Sequence, residues 1–471
     1  MNVFTGNNKS IIIIFLFCFV ILMGLVCIYN YIVAILICFL LVFFWILLRK
    51  PVICSFLILF TLPLMHIGIA IENPFKSFPE FVGISAIPII IALSISLLRI
   101  SLSLQIIREI AELDSLINLL FLLFFGYALT ALSWTGDIYH GVVQLSLLLL
   151  YFSLLKVFPL LITSKENIQR IMKSIPLLSV ILIIQLLLSE KFRFNYNLEF
   201  FKGVSFIIAF HGDELRPGGF AMANAAANIL AILLFFHIIL IYQSRWIARI
   251  ILSILTLFLL FGIFKTVSRA GIGSFIIGMS SLLFIVPELR DKIMRISVVY
   301  LTAFCGFMII TGGVVLKRIA LMMAGKGEGV GGGFLGQRID FWTIGFKNLI
   351  STWGVGSGAG GFPKVIDPIP GAHSLYFSVL FDYGVIGFLL FILLIGVIIY
   401  KVLAFLPNIA DNKLRFAAYC LVGAVITTLV HGLVDLDYTY VMLWFVLSFM
   451  ILIIKVAYHE EMRSSHLEQQ V

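Results

Sequence analysis

The chain has 471 residues, of which 62% are hydrophobic and only 12% charged, and its formal net charge is +9. A water-soluble domain of this length needs more polar surface than this composition offers, so the soluble classes are excluded. The positive charge does not indicate a nucleic-acid partner, because no basic polar segment interleaved with aromatic residues is present to bind one.

The apolar residues occur in runs of about 18 or more, the length that crosses a bilayer as an α-helix. We therefore expect an all-α, polytopic integral membrane protein with about 12–14 transmembrane helices. The first run follows a short polar stretch with one cation, Lys9, and has no A-x-A site, which favours an uncleaved signal anchor. The predicted spans are residues 11–29, 31–48, 52–71, 83–98, 116–134, 140–162, 175–189, 220–242, 248–264, 271–287, 296–316, 375–400, 415–434 and 438–455.

The charges between these spans predict the orientation. One set of short loops is rich in lysine and arginine, whereas the alternate short loops carry almost none. Because cations are retained on the cytoplasmic side, the rich loops and both termini are predicted to be cytoplasmic. Segments 190–218 and 317–373 then lie in the periplasm. Both contain cations, Lys317 and Arg318 among them, and an anionic substrate on the outer face would account for this charge.

The longer of these segments has two parts before its last, irregular stretch. The sequence "GKGEGVGGGFLG" (325–336) is rich in glycine, and it is followed by apolar residues at helical spacing in 337–350. We expect an amphipathic helix lying on the membrane in 337–350.

Four basic side chains converge on the outer face under this topology: Arg216, Arg269, Arg338 and His373. A single interfacial arginine more often reaches lipid headgroups only, and a single histidine at a span end is more often structural than catalytic. Together the four residues indicate a catalytic site, because guanidinium groups fit phosphate oxygens and a neutral imidazole accepts a proton from a hydroxyl. The set predicts transfer from a phosphate-activated donor to an alcohol, with arginines on the departing pyrophosphate and His373 as the base.

These residues lie in motifs. His373-Ser374, nine residues and Gly384-x-x-Gly387 resemble the H-[N/S/Q]-x9-G-x-x-G signature of the bacterial O-antigen ligase family, whose superfamily includes O-antigen polymerases and protein O-oligosaccharyltransferases. "RPGGF" at Arg216, "SRAG" at 268–271 and R-x-x-x-W at Arg338 resemble other landmarks of the family, in the same order. Phe220 departs from the R-x-x-x-L of many ligases. This departure weakens the choice of ligase over polymerase, but the histidine motif favours a ligase; a polymerase and then a protein O-oligosaccharyltransferase are the alternatives.

The resemblance covers roughly residues 205–440, which would form the catalytic region with the periplasmic loop 317–373. Residues 1–204 would form N-terminal transmembrane helices, and 441–471 the end of the last helix and a cytoplasmic tail. The two glycines of the signature are three residues apart, so we interpret them as packing residues on one helical face.

The resemblance implies metal-independent, inverting transfer of a glycan from undecaprenyl pyrophosphate, without a cofactor, at the periplasmic face of the bacterial inner membrane. Its acceptor would be lipid A–core in a ligase, or a growing glycan in a polymerase. The resemblance implies Arg216 and Arg338 as pyrophosphate ligands and His373 as the base. Further candidates for substrate binding are Arg269, Ser374, Lys317 and Arg318.

Two alternatives concern other chemistry. Asp435-x-Asp437 has the spacing of a metal-binding pair, but the first outer turn lacks a carboxylate, so capping of a span end or orientation of a catalytic cation is favoured. His211 and His431 are secondary candidates without an assigned role. A transporter would place ionisable groups near the bilayer midplane, whereas here they gather at one face, which favours an enzyme.

Overall fold

The computed structural model describes residues 46–47, 49–71, 80–101, 115–201, 204–211, 217–286, 334–365 and 371–468, with the single residues 290, 294, 298 and 302. Residues Met1–Ile53 form one compact unit and Cys54–Val471 a second. The candidate site described below lies in the second unit.

Thirteen α-helices are present among the described residues. They are α1 Val52–Thr61, α2 Ala86–Ser101, α3 Ser115–Thr130, α4 Ile138–Leu161, α5 Lys165–Ser189, α6 Ala223–Gln243, α7 Trp246–Lys265, α8 Arg269–Ile285, α9 Phe334–Ser351, α10 Phe362–Val365, α11 Leu375–Phe405, α12 Asn412–His431 and α13 Val441–Glu468. Short 3-10 turns, Ala131–Trp134 and Leu406–Asn408, continue α3 and α11.

Eight of these helices are long and apolar enough to cross a membrane: α3, α4, α5, α6, α7, α11, α12 and α13. Three shorter apolar helices, α1, α2 and α8, accompany them. The predicted fold class, an all-α polytopic membrane protein, is confirmed. The predicted spans 11–29, 31–48 and 296–316 lie almost wholly outside the described residues.

Side-chain caps define where several helices begin. The N-cap oxygens of Asp137, Ser164, Ser268, Ser374 and Asp411 each accept a hydrogen bond from a backbone N–H in the first turn of the following helix. Such caps satisfy donors that a helix leaves unpaired at its start.

The helix α6 forms the centre of the bundle. It is apolar around its whole circumference and buried along nearly its entire length, as expected of a helix surrounded by protein. It packs against α5, α7, α8 and α12.

A four-stranded antiparallel sheet lies at one end of the helices, and the sequence did not predict it. Its strands are β1 Ile67–Ile71, β2 Glu80–Gly83, β3 Phe194–Phe201 and β4 Val204–Phe210, in the spatial order β2-β1-β4-β3. The predicted span 52–71 is therefore wrong beyond Thr61, where α1 ends and the chain turns into β1. The segment 190–218, predicted to lie in the periplasm, contains the β3–β4 hairpin.

The helix α11 is broken at Gly384, whose φ of 66° and ψ of −168° are non-helical. The loop 354–361 replaces the hydrogen bonds that the break removes. Ser357 N donates to Phe381 O (2.8 Å), and Val385 N donates to Gly354 O (2.9 Å). The interpretation of Gly384 as a packing residue on a continuous helical face is thus wrong.

Gly387, in contrast, does lie at a close helix approach. A Cβ atom there would lie 3.2 Å from the ring of Tyr127 on α3.

The connections place the sheet, the start of α11 and the turn between α12 and α13 at one end of the bundle, which we call the site end. The opposite end carries basic residues at the helix starts and connections: Lys165, Arg170, Lys173, Arg245, Arg249, Lys413 and Arg415. Lys165 and Asp411 form an ion pair there that joins the starts of α5 and α12.

Candidate active site

His373 lies immediately before α11, at the site end. Its backbone has a φ of 48°, a left-handed conformation that is uncommon outside glycine and that clusters at functional sites. The next residue, Ser374, is buried and caps the helix, and its hydroxyl donates to Gly432 O at 3.2 Å. Leu375 N donates to the same carbonyl at 2.8 Å. The end of α12 therefore fixes the position of His373.

A carboxylate from the turn after α12 faces this histidine. Asp435 Oδ1 lies 3.7 Å from His373 Nδ1, and the backbone N–H of Asp435 donates to His431 O at 3.1 Å. Burial acts to raise the pKa of Asp435, but the imidazole of His373 and the charges of His431 and Arg338 hold the pKa of this carboxyl below its ordinary value. Asp435 is therefore an anion beside the imidazole at neutral pH.

Arg338 is the third member of this cluster. It lies in the second turn of α9 and is only 5% exposed, and its charge acts on both Asp435 and His431. The predicted helix 337–350 is confirmed as α9. Its Trp342 Nε1 donates to Ala372 O at 2.9 Å, which ties α9 to the residue before His373.

Two cavities meet at His373. The larger, of ≈ 560 Å³, extends towards the sheet, and the smaller, of ≈ 180 Å³, extends towards the loop before α11. The residues that line both cavities are Gln144, His373, Asp435, Leu436 and Asp437. The His373–Asp435 pair thus lies in the wall that the two cavities share.

The larger cavity contains two histidines in contact, His66 and His211, with ring centroids 4.4 Å apart. His66 Nδ1 lies 3.3 Å from Phe220 O, in the turn that follows Arg216 in sequence. Burial and, secondarily, the neighbouring His211 lower the pKa of His66 to about 4, so this imidazole is neutral at physiological pH. His211 is one of the secondary candidates predicted from the sequence, whereas His66 was not predicted because it lies in the segment interpreted as a membrane span.

The smaller cavity is lined by polar groups that the sequence did not single out, His140 and Tyr438 among them. Tyr438 OH donates to Asp382 Oδ2 at 3.0 Å, and Phe362 N donates to Asp382 Oδ1 at 2.9 Å. The only local signal for His140 is its place just inside a membrane helix that Asp137 caps.

Asp437 is open to both cavities although protein surrounds it closely. Burial in this surrounding protein raises the pKa of Asp437. Two hydrogen bonds from Thr439 act in the opposite direction: its N and Oγ1 donate to Asp437 Oδ1 at 2.8 Å and 2.7 Å. The two carboxylates of the D-x-D motif therefore differ in their surroundings. Asp435 faces basic groups, whereas Asp437 is held by a local turn. Within the described ranges, no group of three His, Cys, Asp or Glu side chains could hold a metal ion.

The remaining predicted site residues fall into three sets. Arg269 is exposed in the first turn of α8 and does not line either cavity, while nearby Lys265 forms an ion pair with Glu190. Arg216, Lys317 and Arg318 lie outside the described residues. His431 is completely buried, and neither of its ring nitrogens has a hydrogen-bond partner in the part of the chain that the structure describes.

Comparison with known proteins gives one family match. Residues 254–392 match the family model described as O-Antigen ligase. Among curated proteins no match is found. A chain of the solved structure described as "Structural coordination of polymerization and crosslinking by a peptidoglycan synthase complex" aligns with 73% of this chain and 97% of its own length, at 16% identity and a TM-score of 0.40. That score is too low to establish a shared fold.

The matched segment contains α8, Arg338 and His373, and so covers two of the three residues of the cluster. Its family implies a membrane glycosyltransferase that acts on lipid-linked glycans. Residues 254–392 are similar to the O-antigen ligase family, and the expected relationship to the O-antigen ligase/polymerase superfamily is confirmed over that segment.

Proposed function

We propose that this protein transfers a glycan from a polyprenyl pyrophosphate to an acceptor hydroxyl at the periplasmic face of the inner membrane. The acceptor we favour is lipid A–core, which makes the protein an O-antigen ligase. The observation that carries the proposal is the His373–Asp435 pair beside Arg338, in the wall shared by two cavities.

The chemistry follows from the charges of this cluster. The acceptor oxygen attacks the anomeric carbon of the first sugar, forming a C–O bond, while the bond from that carbon to the pyrophosphate oxygen breaks. The hydroxyl proton passes to the imidazole of His373, and the Asp435 carboxylate stabilises the imidazolium that forms. Attack from the face opposite the leaving group inverts the anomeric centre.

The leaving group needs electrostatic stabilisation more than protonation, because pyrophosphate departs as a stable anion. Arg338 supplies a guanidinium with paired donors suited to phosphate oxygens. Arg216 is proposed as a second ligand on the grounds of its motif. A general base on the acceptor side and arginines on the donor side account for the transfer with no metal ion in the mechanism.

The two cavities support separate access for the two substrates. An enzyme that joins a lipid-linked donor to an acceptor must bring two reactants to one base from different directions. His373 and Asp435 can be reached from both cavities, and the larger one extends towards the sheet.

The periplasmic location is supported by the distribution of basic residues. The helix connections opposite the site carry most of the described lysines and arginines, which the positive-inside tendency assigns to the cytoplasm. The His373 end then faces the periplasm.

The proposal is tested with His373→Ala and His373→Gln in a deletion strain and in purified form. Both variants are expected to insert and bind lipid-linked donor as the parent protein does, and to lose at least about 10²-fold in transfer rate. Arg338→Ala is expected to lose a comparable amount, because removing one charge-stabilising donor costs about 3–4 kcal/mol, and Arg338→Lys should recover only part of it.

A matched control lies on the same helix as Arg338. Lys347 is an exposed cation, so Lys347→Ala should retain full activity. Transfer at the parental rate by purified His373→Ala protein would overturn the mechanism.

The lipopolysaccharide pattern of the deletion strain separates the two acceptors. Core without any attached glycan indicates a ligase, and core with a single repeat unit indicates a polymerase. A wild-type pattern would reject both.

A further inference from the structure

The four-stranded sheet has two faces of opposite character. Cross-strand partners share a face, so the register places Val82, Ile69, Phe206 and Leu198 in one row across all four strands. A neighbouring row on the same face consists of Ile67, Ile208 and Tyr196. This apolar face, defined by these seven residues, has only large hydrophobic side chains in its two central rows.

The other face carries mainly small and polar residues, with Phe81 and Ile207 as its large apolar side chains, and it turns towards the site. Gly68, Ala70, Ser205 and Ala209 occupy it, and Ala70 and Ala209 are buried. Phe81 and Gly83 on this face, with His66 and His211 at its margin, line the larger cavity. The sheet is therefore a wall of that cavity, and the apolar face points away from it.

No other described part of this chain covers much of the apolar face, so several of its side chains are exposed. Ile69 is 38% exposed, Tyr196 66% and Leu198 59%. At one margin of the face, Phe220 covers Phe210, at a ring-centroid distance of 4.8 Å. A contiguous exposed surface of this kind on a folded protein marks a contact with a membrane or a partner.

The connections of the strands place the sheet at the ends of four apolar helices. Each strand is joined to an apolar helix: β1 follows α1, β2 precedes α2, β3 follows α5 and β4 precedes α6. β2 and α2 are separated by only two residues, and β3 begins five residues after α5 ends. All four helix ends therefore lie beside the sheet, and the lipid-facing surface of the bundle leads directly to it.

The charges beside the face fit a lipid surface. Lys191 and Arg193 are exposed immediately before β3, and Phe192 between them is 57% exposed. Aromatic side chains with flanking cations are the residues that lie at the headgroup level of membranes, where the cations reach anionic phosphates. Among the described residues no strand pairs with the outer edges of β2 and β3, and open sheet edges are not tolerated in the hydrocarbon interior, so the sheet lies outside that interior.

We propose that the apolar face rests in the headgroup layer of the lipid bilayer and holds the sheet as a wall between the membrane surface and the larger cavity. This inference does not depend on the proposed glycan transfer, since it concerns the sheet alone. It also gives a reason for a sheet within a helical protein, because a sheet presents a flat apolar surface parallel to the membrane.

Spin labels on the two faces of β3 test the inference. Cysteines are introduced singly at Tyr196 and Leu198 on the apolar face, and at Asn195 and Asn197, which are exposed on the opposite face of the same strand. The full-length protein is placed in nanodiscs of phosphatidylethanolamine and phosphatidylglycerol. Collision rates with O₂, which concentrates in lipid, and with a water-soluble nickel chelate are then measured, with labelled parent protein as the background for native cysteines.

The expected result is a higher ratio of O₂ to nickel collisions at positions 196 and 198 than at 195 and 197. Ile69→Cys on β1 gives a second strand, so the test does not depend on one hairpin. Equal ratios on the two faces would overturn the proposal, because the apolar face would then be in water. Protection of positions 196 and 198 from both reagents would also overturn it, because it would show that protein covers the face.

Discussion

His373 has a left-handed backbone and lies 3.7 Å from a carboxylate that is charged at neutral pH. Histidine, asparagine and aspartate tolerate this conformation better than most residues. The conformational strain is offset here because Gly432 and Trp342 form hydrogen bonds with Ser374 and Ala372, the residues on either side of His373. In the proposed mechanism Asp435 has a positioning role: it orients the imidazole and stabilises its charged form.

The variant Asp435→Asn tests that role. We expect it to lower the rate of transfer by about 10²-fold with little change in donor binding, since the base is present but no longer oriented or balanced by an anion. The measurement is the split between kcat and KM, with the pH profile of kcat, because a merely structural loss would not move that profile. Asp340→Asn is the control, because Asp340 is an exposed carboxylate two residues after Arg338. An unchanged kcat and pH profile in Asp435→Asn would contradict the role.

The two histidines of the larger cavity predict a dependence of stability on pH. The folded pKa of His66 is about 4, below the ordinary value of 6.5, so the folded protein binds fewer protons than the unfolded chain between these values. Its neutral form thus contributes stability that is present above about pH 6.5 and is lost as the pH falls towards 4. We expect the thermal midpoint in detergent to fall over this window, and to fall less in His66→Gln.

The pKa of His211 is lowered by burial in the same direction, so the double variant with His211→Gln should flatten the curve further. The midpoint can be followed by size-exclusion chromatography after heating at each pH. Parallel curves for the parent and both variants would show that these imidazoles do not titrate in this range.

At the scale of elements, the loop 354–361 and the break in α11 depend on one another. Val385 N donates to the loop carbonyl of Gly354, and Ser357 and Gly358 donate to the carbonyls of Phe381 and Asp382. A Cβ atom at Gly384 would lie 2.2 Å from Gly354 O, and the φ of 66° disfavours any other residue. The break therefore requires glycine.

Gly384→Ala should accordingly destabilise the protein by about 1–3 kcal/mol and lower its thermal midpoint. Gly396→Ala is a matched control on the same helix, because Gly396 has ordinary helical backbone and a Cβ atom there would have open space around it for 4 Å. That change should be neutral or slightly stabilising, since alanine has the better helix propensity. Equal midpoints for the two variants would show that the break tolerates a side chain.

The elements that sequence reasoning found are those with a strong local signal. Long apolar runs predicted the spanning helices, and apolar residues at helical spacing predicted α9. The strand β1 was missed because "IGIAI" continues the apolar run of α1, and a short apolar run does not distinguish a strand from a helix. The break at Gly384 was missed because it depends on contacts with a loop about 30 residues earlier.

The same distinction applies to the candidate site. His373, Arg338, Asp435 and Asp437 could be named because they lie in motifs, and the structure places them around the two cavities or beside them. His66 and His140 carry no motif and reach the site only through the packing of α4 and the sheet. Arg269 lies in a motif, yet it does not line either cavity.

On the scale of the whole molecule, the proposed reaction requires one orientation in the membrane. The site end must face the periplasm, and the basic connections at the opposite end must face the cytoplasm.

Two exposed asparagines report on the two ends: Asn197 on β3 at the site end, and Asn412 at the start of α12 at the other end. With single cysteines at these positions, spheroplasts treated with a membrane-impermeant maleimide should label Asn197→Cys directly and Asn412→Cys only after permeabilisation. The parent protein gives the background, and its Cys54 and Cys420 are buried. The reverse pattern would place His373 on the cytoplasmic side. The positive-inside interpretation and the proposed periplasmic transfer would then both be wrong, and the cluster of His373, Asp435 and Arg338 would require another substrate.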